Sequence, residues 1–221
     1  MKVSSNFDGG NIEVLSADDA ANIRLRIRKD NNAEFLQWFY FRLTGARDID
    51  CVLRIENAGA ASFPNGWKDY RAVASYDRVN WFRADTRYDG AVLTISHRPG
   101  HNSVYFAMFA PYSLERHADL IAGAQISSKV KHVNLGATVD GLDLDMLIVG
   151  EDGQTKRKCW IIARQHPGET MAAWWIEGFL QRLLDDHDPV ARALSEKAVF
   201  FVVPNMNPDG SWRGNLRTNA S

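Results

Sequence analysis

His166 and Glu169 stand three positions apart in Arg164-Gln-His-Pro-Gly-Glu-Thr170. An imidazole nitrogen and a carboxylate oxygen both bind Zn²⁺, at about 2.0–2.2 Å, and two histidines with one glutamate form a known catalytic zinc set. Pro167-Gly168 between them favours a tight turn, which would let a strand-end histidine and a helix-start glutamate converge on one ion. Each residue also has a plainer role open to it. Glu169 can be a carboxylate stabilised by a helix N-terminus, and His166 an exposed loop imidazole. Two further polar clusters follow, Pro204-Asn-Met-Asn-Pro-Asp-Gly210 and Gly214-Asn-Leu-Arg217.

Chemistry at these positions requires elements that bring them together, and the second half of the chain has them. Residues 159–163 and 199–203 are continuous apolar runs, as expected of strands covered on both faces. Between them Ala172, Trp175, Ile176, Phe179, Leu180, Leu183 and Leu184 recur at helical spacing, so a helix over 170–184 is predicted, with a shorter one near 190–195. Strand, crossover helix and strand make a parallel pair whose carboxyl ends share one sheet edge, where ligands bind in open α/β sheets. The two polar loops, 164–170 and 204–210, follow those ends. Upstream, Ser113 can cap a helix to about residue 125, with Leu114, Ala118, Ile121 and Gln125 on one side. Two alternating runs around Asp140-Gly141 then read as a β-hairpin.

Residues 11 to 111 have another texture. Ile23, Leu25 and Ile27 alternate with arginines, and runs at 35–43, 51–55, 70–76, 80–83, 92–97 and 103–109 continue the strand signal. Turn chemistry at Asn57-Ala-Gly59, Pro64-Asn-Gly66, Asp89-Gly90 and Pro99-Gly100 separates them. The expected architecture is an all-β antiparallel sandwich over 1–112, followed by an α/β domain over 113–221, a mixed sheet with helices on both faces.

Composition limits the functional classes. With 26 basic and 27 acidic residues in 221 the net charge is −1, which leaves no electrostatic footprint for nucleic acid or an anionic membrane. Two cysteines a hundred positions apart exclude a disulfide scaffold and fit free thiols in a reducing compartment. The N-terminus has no apolar signal region, and no segment approaches the roughly 20 apolar residues of a bilayer span. A cytoplasmic protein is the expectation.

Taken together and in this order, Ala163-Arg-Gln-His-Pro-Gly-Glu-Thr170, Val203-Pro-Asn-Met-Asn-Pro-Asp-Gly210 and Gly214-Asn-Leu-Arg217 resemble the M14 zinc carboxypeptidases, in their cytosolic carboxypeptidase branch, which also carries a leading β-sandwich. The resemblance implies Zn²⁺ as cofactor, with His166 and Glu169 as its first two ligands. It implies that Arg217 binds substrate and acts in catalysis, polarising the scissile carbonyl and stabilising the oxyanion; a solvated loop arginine is the plainer role. The implied substrate is a peptide or protein C-terminus, cleaved at the terminal peptide bond or an isopeptide-like glutamyl bond by a metal-activated water. The family's third zinc ligand and glutamate general base are matched by nothing in these 221 residues, so the carboxypeptidase domain is expected to be incomplete and this chain alone inactive. Two other readings are a zinc amidohydrolase of the aspartoacylase and succinylglutamate-desuccinylase kind, which shares H-x-x-E, and a non-catalytic binding protein with a vestigial metal site.

Overall fold

The computed structural model describes residues 1–151, 153 and 155–221. The first half folds as two facing five-stranded sheets. One runs β1 (Lys2–Ser4), β4 (Tyr40–Thr44), β10 (Ser103–Ala107), β6 (Val73–Ser75), β7 (Phe82–Arg83); the other runs β2 (Glu13–Ser16), β3 (Ile23–Arg26), β5 (Cys51–Ile55), β9 (Leu93–His97), β8 (Asp85–Tyr88). Alternation decides which side chains enter the core: Ile23 and Leu25 are fully buried while Arg24 and Arg26 are exposed. Leu53, Ile55, Leu93, Ile95 and the aromatic side chains of Phe39, Phe41, Trp67 and Phe106 complete it. One pairing departs from a purely antiparallel sandwich, because β3 and β5 run parallel, Ile23 opposite Leu53. The intervening β4 belongs to the opposite sheet, so the chain crosses over and returns in the same direction.

The second half is built on a mixed four-stranded sheet. Its order is β11 (Val130–Ala137), β12 (Asp143–Val149), β14 (Ala198–Val203), β13 (Arg157–Ile162). β13 and β14 are parallel with Ile162 opposite Val203, so both carboxyl ends reach the same edge. Helices α1 (Leu114–Ala124) and α2 (Thr170–Leu183) bury Ile121, Ala124, Ile176 and Leu180 in one cluster with Leu147, Val149, Phe200 and Val202. Side chains of that type contribute about 1.5–3 kcal/mol each when fully buried. Ser113 caps α1 as expected, its Oγ accepting from the Arg116 N–H at 3.1 Å.

Several details differ from the sequence reading. The run 159–163 is covered on one face only: β13 is an edge strand, with Trp160 62% and Ile162 48% exposed and Trp160 stacked on Phe201. A continuous apolar run cannot by itself distinguish an edge strand with one open face from a central one. In α2 the buried stripe is Thr170, Ala173, Ile176, Leu180 and Leu183, so Trp175 lies outside it and stacks on Phe179. In α1 the buried positions are His117, Ile121 and Ala124, one step round from the expected stripe. The hairpin buries Leu147 and Val149 against the helices, while Leu135 and Val139 are exposed. The second polar loop contains a helix, α4 (Pro208–Arg213), which follows the short α3 (Pro189–Lys197) and β14. Asn207 caps α4 and Pro208 occupies its first turn, where a missing N–H costs nothing.

Candidate active site

Two strand ends and one loop form the site. The Ala163 N–H donates to Val203 O at 3.0 Å and the Met206 N–H to Ala163 O at 2.9 Å, extending the parallel pair past the strands into both polar loops. The Glu169 N–H donates to His166 O at 3.0 Å, closing the turn over Pro167-Gly168, and α2 begins at Thr170. His166 Nδ1 and Glu169 Oε1 thereby come within 3.1 Å. Arg217 Nη1 lies 3.0 Å from His166 Nε2, and Arg217 Nη2 lies 3.8 Å from Glu169 Oε1. A guanidinium has donors only, so Nε2 accepts and the Nδ1–H points to the Glu169 carboxylate. The sandwich supplies one further wall: the Arg217 guanidinium carbon stands 5.4 Å from the centre of the Phe63 ring, within cation–π range.

Tight packing accounts for the residue types in these loops. A Cβ on Gly168 would lie 2.9 Å from Leu216 Cδ1, and one on Gly210 would lie 2.2 Å from Thr218 O. Asn207 joins the two strand-end loops, its Oδ1 accepting from the Gly210 N–H at 2.9 Å while its Nδ2 donates to Gln165 O at 3.3 Å. Asp209, buried, accepts from Thr138 Oγ1 and from the Asp140 N–H at the hairpin tip. Asn207-Pro-Asp-Gly210 is therefore a packing and capping unit for the site.

Sequence reading assigned no role to Arg164, which the structure buries directly beneath the turn. Its backbone is left-handed, with φ 53°. Its Nη1 donates to Tyr112 O at 2.7 Å and its Nε to Pro167 O at 3.2 Å, linking the segment between the two halves to the histidine turn. Burial pulls its pKa down to about 10 against the opposing charge of Asp8, so the guanidinium stays cationic at neutral pH. An arginine preceding H-P-G-E carries no local signal of this, because its partners lie 3 and 52 positions away.

A pair of zinc donors about 2.0–2.1 Å from one tetrahedral ion sits roughly 3.3 Å apart, so the 3.1 Å between His166 and Glu169 suits two ligands of one cation. Among the described residues no group of three or more His, Cys, Asp or Glu side chains could hold a metal. Three of the other five histidines are engaged elsewhere: His97 hydrogen-bonds Tyr76, and His117 and His132 both contact Asp145. No helix among the described residues is long and apolar enough to cross a membrane.

Comparison with known proteins supports the same identification. The cytosolic carboxypeptidase N-terminal domain matches residues 3–109, and the zinc carboxypeptidase domain matches residues 118–219. An uncharacterized protein of Zymomonas mobilis is 51% identical over all of this chain, which covers 57% of its length. Mouse cytosolic carboxypeptidase 6 is 27% identical over 96% of the chain, which covers 43% of its length. Among solved structures, a metallo-carboxypeptidase from Burkholderia cenocepacia superposes with a TM-score of 0.97 at 52% identity, over 99% of this chain and 59% of that one. One from Pseudomonas aeruginosa, in complex with (2-guanidinoethylmercapto)succinic acid, gives 0.96 at 43% identity, over 100% of this chain and 59% of that one. The chain thus spans between 43% and 59% of the length of these relatives. With both halves matched in order, the chain belongs to the M14 zinc carboxypeptidase family, in its cytosolic carboxypeptidase branch.

Proposed function

We propose that this protein is a zinc metallocarboxypeptidase that hydrolyses the C-terminal peptide bond, or an isopeptide-like glutamyl bond, of a peptide or protein. The observation that carries the reading is the convergence of His166, Glu169 and Arg217 at the carboxyl edge of a parallel strand pair, with 3.1 Å and 3.0 Å between the facing atoms. His166 and Glu169 would hold the metal, His166 through a neutral ring nitrogen and Glu169 through its carboxylate. Zinc bound in such a site supplies a water whose pKa is lowered toward about 7. Arg217 would meet the scissile carbonyl and the negative charge that develops on it; a fixed donor in that role typically contributes about 3–4 kcal/mol. The third zinc ligand and the general base stand, in this reading, outside these 221 residues. Neither the amidohydrolase nor the binding-protein reading is favoured, since the sandwich and the α/β half both match carboxypeptidase domains.

Calorimetric titration with zinc, beside a peptidase assay, tests the proposal on the 221-residue chain and on the full-length protein. A catalytic zinc takes three protein ligands, so the 221 residues should bind zinc weakly and cleave nothing, while the full-length protein does both. His166→Ala should abolish what binding there is. Tight one-to-one binding and full activity from the 221 residues would overturn the ligand assignment.

A further inference from the structure

The loop that carries Arg217 is held by the sandwich. Asp30, in the segment after β3 and only 4% exposed, accepts hydrogen bonds from three successive backbone N–H groups of that loop. Its Oδ1 takes the Leu216 N–H at 2.6 Å, and its Oδ2 takes those of Arg217 at 2.7 Å and Thr218 at 2.9 Å, with the Thr218 hydroxyl at 3.3 Å. Consecutive N–H groups turned to one point form an anion-binding nest; here the anion is a side chain 187 positions upstream of Arg217. Burying a carboxylate is costly unless charge-assisted bonds of this kind replace its water. Three other contacts act in the same place. Leu216 is buried in the sandwich core, Asn11 Nδ2 donates to Gly214 O at 2.8 Å, and Asn215 Nδ2 donates to Asn31 Oδ1.

Resting on the function proposed above, we infer that Asp30 is a positioning residue for Arg217: the sandwich, through this carboxylate, sets where the guanidinium stands relative to His166 and Glu169. The side chain of Arg217 is long and 31% exposed, so little besides its backbone anchor, the Phe63 ring and the two site residues limits its reach. An anchor of that kind matters to catalysis because a misplacement of about 1 Å at a reacting group can cost 100-fold in rate.

Asp30→Asn keeps the size of the side chain but replaces one acceptor oxygen with an NH₂ group facing N–H donors. In the full-length protein it should lower kcat roughly 10- to 100-fold with zinc content unchanged. Combined with Arg217→Ala, the same substitution should cost less than about 3-fold, because there is no guanidinium left to misplace. In the 221-residue chain, NMR of the Arg217 side chain reads the effect without catalysis: resolved Nη protons should average on Asp30→Asn while the sandwich spectrum persists. A wild-type protein that cleaves nothing defeats the proposed function, and the NMR comparison then still decides this inference. Equal kcat losses with and without Arg217, or Nη signals that stay resolved, would overturn it. If Asp30→Asn does not fold, Asp30→Glu, which keeps the charge and shifts it by one methylene, takes its place in both measurements. Failure of both variants to fold makes Asp30 a purely structural residue and ends the proposal.

Discussion

The chemistry of this site depends on short-range packing between residues far apart in the chain. His166, Glu169 and Arg217 meet because Gly168 and Gly210 let the backbone of 216–218 come close, and each glycine leaves room that a methyl group would take. This makes Gly210 a sharp probe. A Cβ there would stand 2.2 Å from Thr218 O and 2.5 Å from Pro167 Cγ, neither of which is the end of a flexible side chain. Gly210→Ala should therefore destabilise the protein by about 1–3 kcal/mol, as overpacking does. Denaturant titration would register the loss as a lower midpoint at unchanged slope. The closely packed turn residues were visible in the sequence as Gly-containing motifs, but which atoms they approach was not, since Gly168 meets Leu216 and Gly210 meets Pro167 and Thr218 across 8 to 48 positions of chain.

At the level of elements, α1 is attached to α2 by one well-formed ion pair. Arg116 Nε and Nη2 bond Glu177 at 2.8 Å and 2.6 Å, and the guanidinium also lies 4.3 Å from the Trp174 ring centre. The hydrogen bond from Arg116 holds the Glu177 carboxyl below its ordinary value of 4.5. A carboxylate whose pKa is depressed on folding stabilises fully above its unfolded pKa, and loses that contribution as pH falls through the folded one. Stability should thus drop below about pH 4.5 more steeply in the wild type than in Glu177→Gln. Arg116 is 42% exposed, so solvent screening limits the pair to about 0.5–1 kcal/mol near neutral pH. Thermal melts of both proteins between pH 3 and 7 measure this; parallel curves would show that the pair contributes nothing. The helices themselves were legible from their 3.6-residue periodicity. Which residues face inward was legible only to within one position, because periodicity leaves the rotation of a helix to its neighbours.

On the scale of the whole molecule, the two halves are joined by more than a connecting segment. The Gly9 N–H donates to Trp212 O at 2.9 Å, Trp174 Nε1 donates to Ala110 O at 3.0 Å, and Asp8 accepts from the Leu114 N–H at 2.7 Å. Tyr112, at the expected boundary, is buried and its carbonyl is taken by Arg164. The division at 112/113 marks a change of architecture, yet the halves should unfold as one unit. Tryptophan fluorescence and far-UV circular dichroism should give coincident urea transitions, and chymotrypsin should spare Tyr112 in the native protein. Early release of a folded 1–112 fragment would show instead that the junction opens independently.

Local residue order was enough to expect the strand-end loops, the strand and helix segments and the H-x-x-E pair of His166 and Glu169. Each of these rests on alternation, helical spacing or turn chemistry within about twenty residues, whereas Arg217 entered only through the joint resemblance of three motifs to a family and meets His166 across 51 positions. The open face of β13 and the hold of Asp30, Asn11 and Asn31 on the arginine loop were decided only by tertiary structure. Those contacts span up to 203 positions. A buried carboxylate facing three amide groups depends on which surfaces meet, and a short stretch of sequence contains no record of that.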